Sequence, residues 1–156
     1  MEVLRVGDLP SGELGELVVE SADGNWRHLR RLIREWETGY NRFSRPAEVV
    51  FVAREGDSLI GICSLEDDGA PDRPTARVRR MYVRPPFRRC GIGRALLVTC
   101  LAAARQSFSE VRLQTTDDGA CAFYRALGFE RVRGQGDHTH RLVLAAHVNG
   151  ESVAAR

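Results

Sequence analysis

The run Arg88-Arg89-Cys90-Gly91-Ile92-Gly93-Arg94 combines the features of an anion site. Glycines let backbone N–H groups come close to an anion, a helix starting there presents its positive end, and arginine adds charge. A pyrophosphate fits such a junction, although a solvated basic connection would use the same residues, so context has to decide. Two other phosphate loops are excluded by residue type. The chain contains no Lys, which removes the G-K-S and G-K-T loops, and a G-x-G-x-x-G fingerprint fails because position 96 is Leu. A second cluster, His138-Thr139-His140, could start a metal site if both rings shared one face of a strand. No third ligand stands at a suitable spacing. The reading is therefore a strand-edge pair with one His hydrogen-bonded in the core, and no metal is called for.

The elements that must position these residues follow from their periodicity. Val3–Val6 predicts a short strand, Ser11 starts a helix, and Asn25 caps another that carries Trp26, Leu29, Leu32, Ile33 and Trp36. Val49–Ala53 and Leu59–Leu65 form a hairpin around Glu55-Gly56-Asp57. Residues 66–75 read as a loop. Val78–Val83 is a strand stopped by Pro85-Pro86, and the glycines at 91 and 93 lead into a helix with Ile92, Leu96 and Cys100 on one face. Val111–Thr115, a helix over Gly119–Leu127 ended by Gly128, and strands at Phe129–Val132 and Arg141–Leu144 complete the order. That order predicts an α/β (α+β mixed) sheet of six to seven strands with about four helices, antiparallel first and with a parallel crossover near 78–115. Residues 1–148 are expected to be a single domain, with 149–156 a frayed tail.

Composition limits the classes of function. The 156 residues, 43% hydrophobic and 28% charged, suit one globular domain. No stretch reaches the ~20 apolar residues of a membrane helix, and the start lacks a signal-peptide pattern, so the expectation is a cytoplasmic protein without a membrane partner. Cys63, Cys90, Cys100 and Cys121 form no C-x-x-C, which disfavours a zinc or disulfide framework. The net charge of +2 hides two opposite halves: nine Arg against fifteen acids in residues 1–75, fourteen Arg against six acids in 76–156. Residues 76–94 hold seven Arg and no acid, which predicts a local anion site. Nucleic-acid binding by this run is the weaker alternative, because only Tyr82 and Phe87 interleave its arginines.

In context, Arg80-Met81-Tyr82-Val83-Arg84-Pro85-Pro86-Phe87-Arg88-Arg89-Cys90-Gly91-Ile92-Gly93-Arg94 strongly resembles the acetyl-CoA motif of the GCN5-related N-acetyltransferase (GNAT) superfamily. Further along, Ala120-Cys121-Ala122-Phe123-Tyr124-Arg125-Ala126-Leu127-Gly128-Phe129 resembles that family's second signature. The resemblance covers roughly residues 47–145.

It implies an acetyl-CoA-dependent N-acetyltransferase that moves acetyl directly to an amine of a small molecule or peptide in a ternary complex, without nucleic acid; a homodimer is compatible with this. Backbone groups of Met81, Tyr82 and Val83 would pair with the pantetheine arm, the Val83 amide would polarise the thioester carbonyl, and amides from Arg89, Cys90, Gly91, Ile92, Gly93 and Arg94 would hold the pyrophosphate, with Arg88 also among the cofactor-binding residues. Tyr124 would protonate the departing thiolate, a role consistent with a phenol of pKa ~10. In two places the chain departs from the family. Asp117 stands where Asn is frequent, and no acid occurs in Arg77-Val78-Arg79-Arg80 or Arg112-Leu113-Gln114, where a general base is often found. Glu66, Asp67, Asp68, His140 or water remain open as base. A catalytically silent CoA-binding sensor domain is the alternative, and the acyl chain and acceptor are unassigned. The early helices wall the acceptor site in the family, so Trp26 or Trp36 could line it.

Overall fold

The computed structural model describes residues 1–20, 26–134 and 136–145. The predicted cap at Asn25 and the tail at 149–156 lie outside the described residues, as does the Trp26 side chain. The elements are β1 (Glu2–Arg5), α1 (Ser11–Glu20), α2 (Trp26–Thr38), β2 (Val49–Glu55), β3 (Ser58–Asp67), β4 (Thr75–Val83), α3 (Ile92–Ala104), β5 (Glu110–Leu113), α4 (Asp118–Ala126), β6 (Glu130–Arg131) and β7 (His140–Val143). The sheet has seven strands in the order β1-β2-β3-β4-β5-β7-β6. The predicted mixed sheet is therefore present, with four α-helices among the described residues. Contacts divide the chain into two compact units, Met1–Glu66 with Val78–Cys100, and Asp67–Arg77 with Leu101–Arg156.

In the first unit, alternation along β3 sorts the side chains to two faces. Ile62 joins Leu14 and Leu17 of α1, Leu29 and Leu32 of α2, and Val50 and Val52 of β2 in one buried cluster. Cys63, the next residue, turns the other way, and its thiol lies 3.4 Å from that of Cys100 on α3. So α1 and α2 cover one side of these strands and α3 the other. Gly61 makes the α3 side possible. A Cβ there would stand 3.0 Å from Leu96 Cδ1 and 3.1 Å from the Tyr82 carbonyl oxygen.

In the second unit, Thr75, Ala76 and Arg77 of β4 pair in parallel with Glu110, Val111 and Arg112 of β5. β4 thus starts at Thr75 rather than at the predicted Val78, and β3 runs on to Asp67 instead of stopping at Leu65. The charged and Pro-rich sequence between them hid this extension, which the Asp68 N–H secures by donating to the Thr75 carbonyl at 2.9 Å. β5 pairs antiparallel with β7, where Leu113 faces His140. The Asp117 side chain caps α4, accepting from the Ala120 N–H at 2.7 Å, and Gly128, at φ +100°, follows the helix. The acid at position 117 is therefore accounted for by helix capping.

The close approach at Gly61 yields a stability test. Gly61→Ala should lower stability by roughly 1–3 kcal/mol, the usual cost of overpacking a close-packed contact, seen as a lower urea midpoint at an unchanged slope. An unaltered midpoint would mean that α3 does not press on β3 at this point.

Candidate functional site

Residues 78–100, from the later part of β4 through the loop into α3, lie in the first unit. β4 ends at Val83, and the Arg84 N–H still donates to the Ile60 carbonyl at 2.9 Å. A single 3-10 turn at Pro85–Phe87 follows, because the prolines fix the backbone and lack the donors a further ladder needs. Arg89 then adopts φ +61° and Gly91 φ +80°. No atom lies within 4 Å of where a Gly91 Cβ would stand. The first bond of α3 runs from the Ala95 N–H to the Gly91 carbonyl at 3.0 Å, so the N–H groups at the start of this helix have no partner inside it. Arg88, Arg89, Cys90 and Arg94 are exposed. The Arg88 side chain folds back instead of reaching outward. Its Nε donates to the Val83 carbonyl at 2.8 Å, and its guanidinium lies 5.4 Å from the Tyr82 ring centroid.

The basic run proves less free than its sequence suggests. Arg79 pairs with Glu66 at 3.2 Å, Arg80 with Glu35 at 3.3 Å, and Arg84 with Glu20 at 2.8 Å, all within the first unit. In the second unit Arg77 pairs with Asp68 at 2.7 Å and with Asp137 at 2.9 Å. Four of the seven arginines of residues 76–94 are thus committed to carboxylates. Arg89 and Arg94 have no acidic partner among the described residues. The anion site contracts to the loop itself.

Arg80 is the exception inside β4. It holds φ +57° in mid-strand, a left-handed conformation that interrupts the pleat. Its side chain is 7% exposed and reaches Glu35 of α2, whose other oxygen accepts from Arg31 at 2.7 Å. Tyr82, also buried, belongs to the cluster under α1 and α2, and its ring meets that of His28 edge-on at 6.4 Å. Burial lowers the His28 pKa, and the Arg80 charge lowers it further, so this imidazole is neutral near pH 7. Sequence reading passed over His28, Glu35 and the side chains of Arg80 and Tyr82. The available signal was polar residues at alternate positions of a strand that otherwise reads as core.

Among the open candidates for a base, Glu66 stands apart. It sits at the end of β3, buried, with Asn41 donating to one oxygen at 3.3 Å and Arg79 Nε 3.2 Å from the other. Burial raises its pKa; Arg79 and Arg80 oppose the rise, while Glu48 and Glu35 add to it. Asp68 is held by Arg77, and Asp67 accepts from the Gly69 N–H at 2.9 Å. His140 is fully buried, with Nδ1 2.8 Å from the Thr139 hydroxyl and its pKa lowered by burial and by Arg131 and Arg125. Tyr124, in the second unit, is 7% exposed between Phe123 and Phe129, at centroid distances of 5.1 and 5.6 Å. Trp36 lines a cavity of about 190 Å³ in the first unit together with Arg5, Arg42, Phe43 and Glu48.

A mixed sheet whose fourth strand passes through a glycine loop into a helix fits the resemblance to the GNAT superfamily, and the comparisons agree. Residues 13–129 match the model of the Acetyltransferase (GNAT) family, and the chain belongs to that family. It is 35% identical over 80 residues to N-alpha-acetyltransferase RimI of Mycobacterium tuberculosis, an alignment spanning 51% of this chain and 51% of that relative. The chain thus aligns with about half the length of that curated relative. A solved structure from Exiguobacterium sp. 255-15, assigned as an acetyltransferase, superposes with a TM-score of 0.76 at 26% identity over 92% of this chain and 94% of its own. The PaiA N-acetyltransferase of Thermoplasma acidophilum, solved with coenzyme A, shares the fold with a TM-score of 0.65 at 19% identity over 92% of this chain and all 100% of its own.

Glu66 makes a pH prediction. Its folded pKa lies above its unfolded value, so the folded state binds this proton more tightly. The stability this group adds is present below the unfolded pKa and is lost as pH rises through the folded one. Glu66→Gln should therefore equal or exceed the parent in urea midpoint at pH 7, with the difference vanishing by pH 4. A variant much weaker at pH 7 would show that the bonds to Arg79 and Asn41 outweigh the burial cost.

Proposed function

We propose that this chain is an acetyl-CoA-dependent N-acetyltransferase that passes acetyl directly to a primary amine of a small molecule or peptide. The observation that carries the reading is the β4-to-α3 junction. There, Gly91 at φ +80° leaves open space above the loop, the N–H groups at the start of α3 lack helical partners, and Arg89 and Arg94 have no acidic partner among the described residues. A pyrophosphate needs those donors and that room. Membership of the GNAT family, the coenzyme A complex of a structural neighbour and the N-alpha-acetyltransferase relative support the same reading.

Each residue then has a task. Amides from Arg88 to Arg94 hold the pyrophosphate, and Arg88 exchanges its bond to the Val83 carbonyl for a phosphate oxygen. Met81, Tyr82 and Val83 offer backbone groups to the pantetheine arm, and the Val83 amide polarises the thioester carbonyl. The thioester supplies an activated acetyl group. Glu66, at the end of β3 with its pKa raised by burial, takes the proton from the amine directly or through water. Tyr124 gives a proton to the departing sulfur. Much of the rate comes from holding thioester and amine together. The acids missing from the expected strand positions favoured a silent CoA sensor, and Glu66 restores a candidate base.

Three measurements test this. Acetyl-CoA should raise the melting temperature, as any ligand selective for the native state does, and Gly91→Trp should abolish that rise by filling the loop. In a thiol-release assay over an amine panel, at least one amine should drive release of CoA; a protein that binds acetyl-CoA and turns over no amine would be the sensor instead. Tyr124→Phe should reduce turnover by about 10²-fold with acetyl-CoA affinity nearly intact. Turnover within a factor of about two of the parent would make Tyr124 a packing residue.

A further inference from the structure

The acceptor's chemical class is written in atoms the fold leaves unsatisfied. Among the described residues, five buried side-chain atoms have no hydrogen-bond partner, and three of them belong to one patch of the first unit: Arg80 Nε, Tyr82 Oη and His28 Nε2. Arg80 and Tyr82 lie two residues apart on β4 and both face α2. Arg80 reaches Glu35, while Tyr82 meets the His28 ring at 6.4 Å. Buried polar groups normally find partners, so three orphans in one place call for a partner from outside the chain.

The donor set states what that ligand must carry. A guanidinium N–H can only donate, and a phenol hydroxyl readily donates. A neutral imidazole nitrogen donates or accepts according to its tautomer. The complementary group is an sp² oxygen, a carboxylate or an amide carbonyl. A guanidinium that is 7% exposed, with a single 3.3 Å bond to Glu35, also disfavours a polycation at the same spot. Arg79 and Arg31 add to that repulsion, while the Glu66 carboxylate, beside Arg79, is available to the amine.

We propose that Arg80, Tyr82 and His28 form an oxygen-binding subsite for the acceptor, so that the preferred substrates are amines bearing a carboxylate or amide carbonyl close to the nitrogen — amino acids or peptide N-termini — and not polyamines or simple alkylamines. The proposal rests on the acetyltransfer reading above. It adds that the three side chains select the acceptor and take no part in binding acetyl-CoA.

Matched acceptors test it. For each of alanine, leucine and phenylalanine, the amino acid, its amide and the decarboxylated amine are compared, with spermidine added. Acetylation is followed by thiol release and mass spectrometry, and acetyl-CoA binding is measured separately by calorimetry. The amino acids or their amides should exceed the decarboxylated amines and spermidine in kcat/KM by at least about tenfold. Better turnover of the free acid assigns the oxygen to a carboxylate, and better turnover of the amide assigns it to a peptide carbonyl. Tyr82→Phe, which keeps the ring, and Arg80→Lys, which keeps the charge but loses Nε, should narrow the preference by raising the acceptor KM while acetyl-CoA affinity stays the same. Equal turnover of the decarboxylated amines, a preference unchanged in both variants, or acetyl-CoA binding without turnover of any amine would overturn the proposal. Failure of the parent protein to bind acetyl-CoA would remove the acetyltransfer reading and this proposal together.

Discussion

A residue other than glycine held at positive φ inside a strand costs on the order of 1–3 kcal/mol, and β4 holds one at Arg80, at φ +57°. That cost persists only because the surroundings over-determine it. The Arg80 guanidinium is buried against Glu35 on α2, and the Tyr82 side chain is locked into the cluster beneath α1 and α2. On the other face, Gly61 leaves room for α3, since a Cβ there would stand 3.0 Å from Leu96 Cδ1 and 3.1 Å from the Tyr82 carbonyl oxygen. These side-chain contacts with α1 and α2 hold β4 just ahead of the loop that follows it. In the proposed reaction the same short stretch turns side chains toward the acceptor and backbone groups toward the thioester.

The opposite charges of the two halves of the chain also find their reason in pairing. The acids of the N-terminal half meet the arginines of β4 within each unit: Glu35 and Glu66 in the first, Asp68 in the second. Arg80–Glu35 and Arg77–Asp68 are buried pairs, weak sources of net stability, but removing one partner strands the other in a low-dielectric interior. They tie β4 to its neighbouring elements, and among the described residues they leave Arg89 and Arg94 without acidic partners at the loop.

Much of this was legible in the sequence because local rules carried it. The prolines after Val83, the glycines at 91 and 93, and the spacing of Ile92, Leu96 and Cys100 define the strand–loop–helix junction without tertiary information. Asp117 could be read only as a departure from a pattern, until the Ala120 N–H showed it to be a cap. The proposed acceptor side was not legible. It depends on which face Arg80 and Tyr82 take after a left-handed residue, and on which residue of α2 stands opposite, and neither follows from periodicity. The arginine run misled for the same reason, since composition records charge but not the partners that neutralise it across the fold.

The central claim is that the loop from Arg88 to Arg94 covers and holds a CoA pyrophosphate. Cys90 lies within that loop and is exposed, whereas Cys63 and Cys100 are buried. Alkylation with a small reagent, mapped by mass spectrometry with and without CoA, reads the loop directly, because only a ligand lying over it can shield that thiol. The account predicts that saturating CoA slows labelling of Cys90 by at least about tenfold, the buried pair staying unlabelled in both samples. Labelling of Cys90 at the same rate with and without CoA would contradict it.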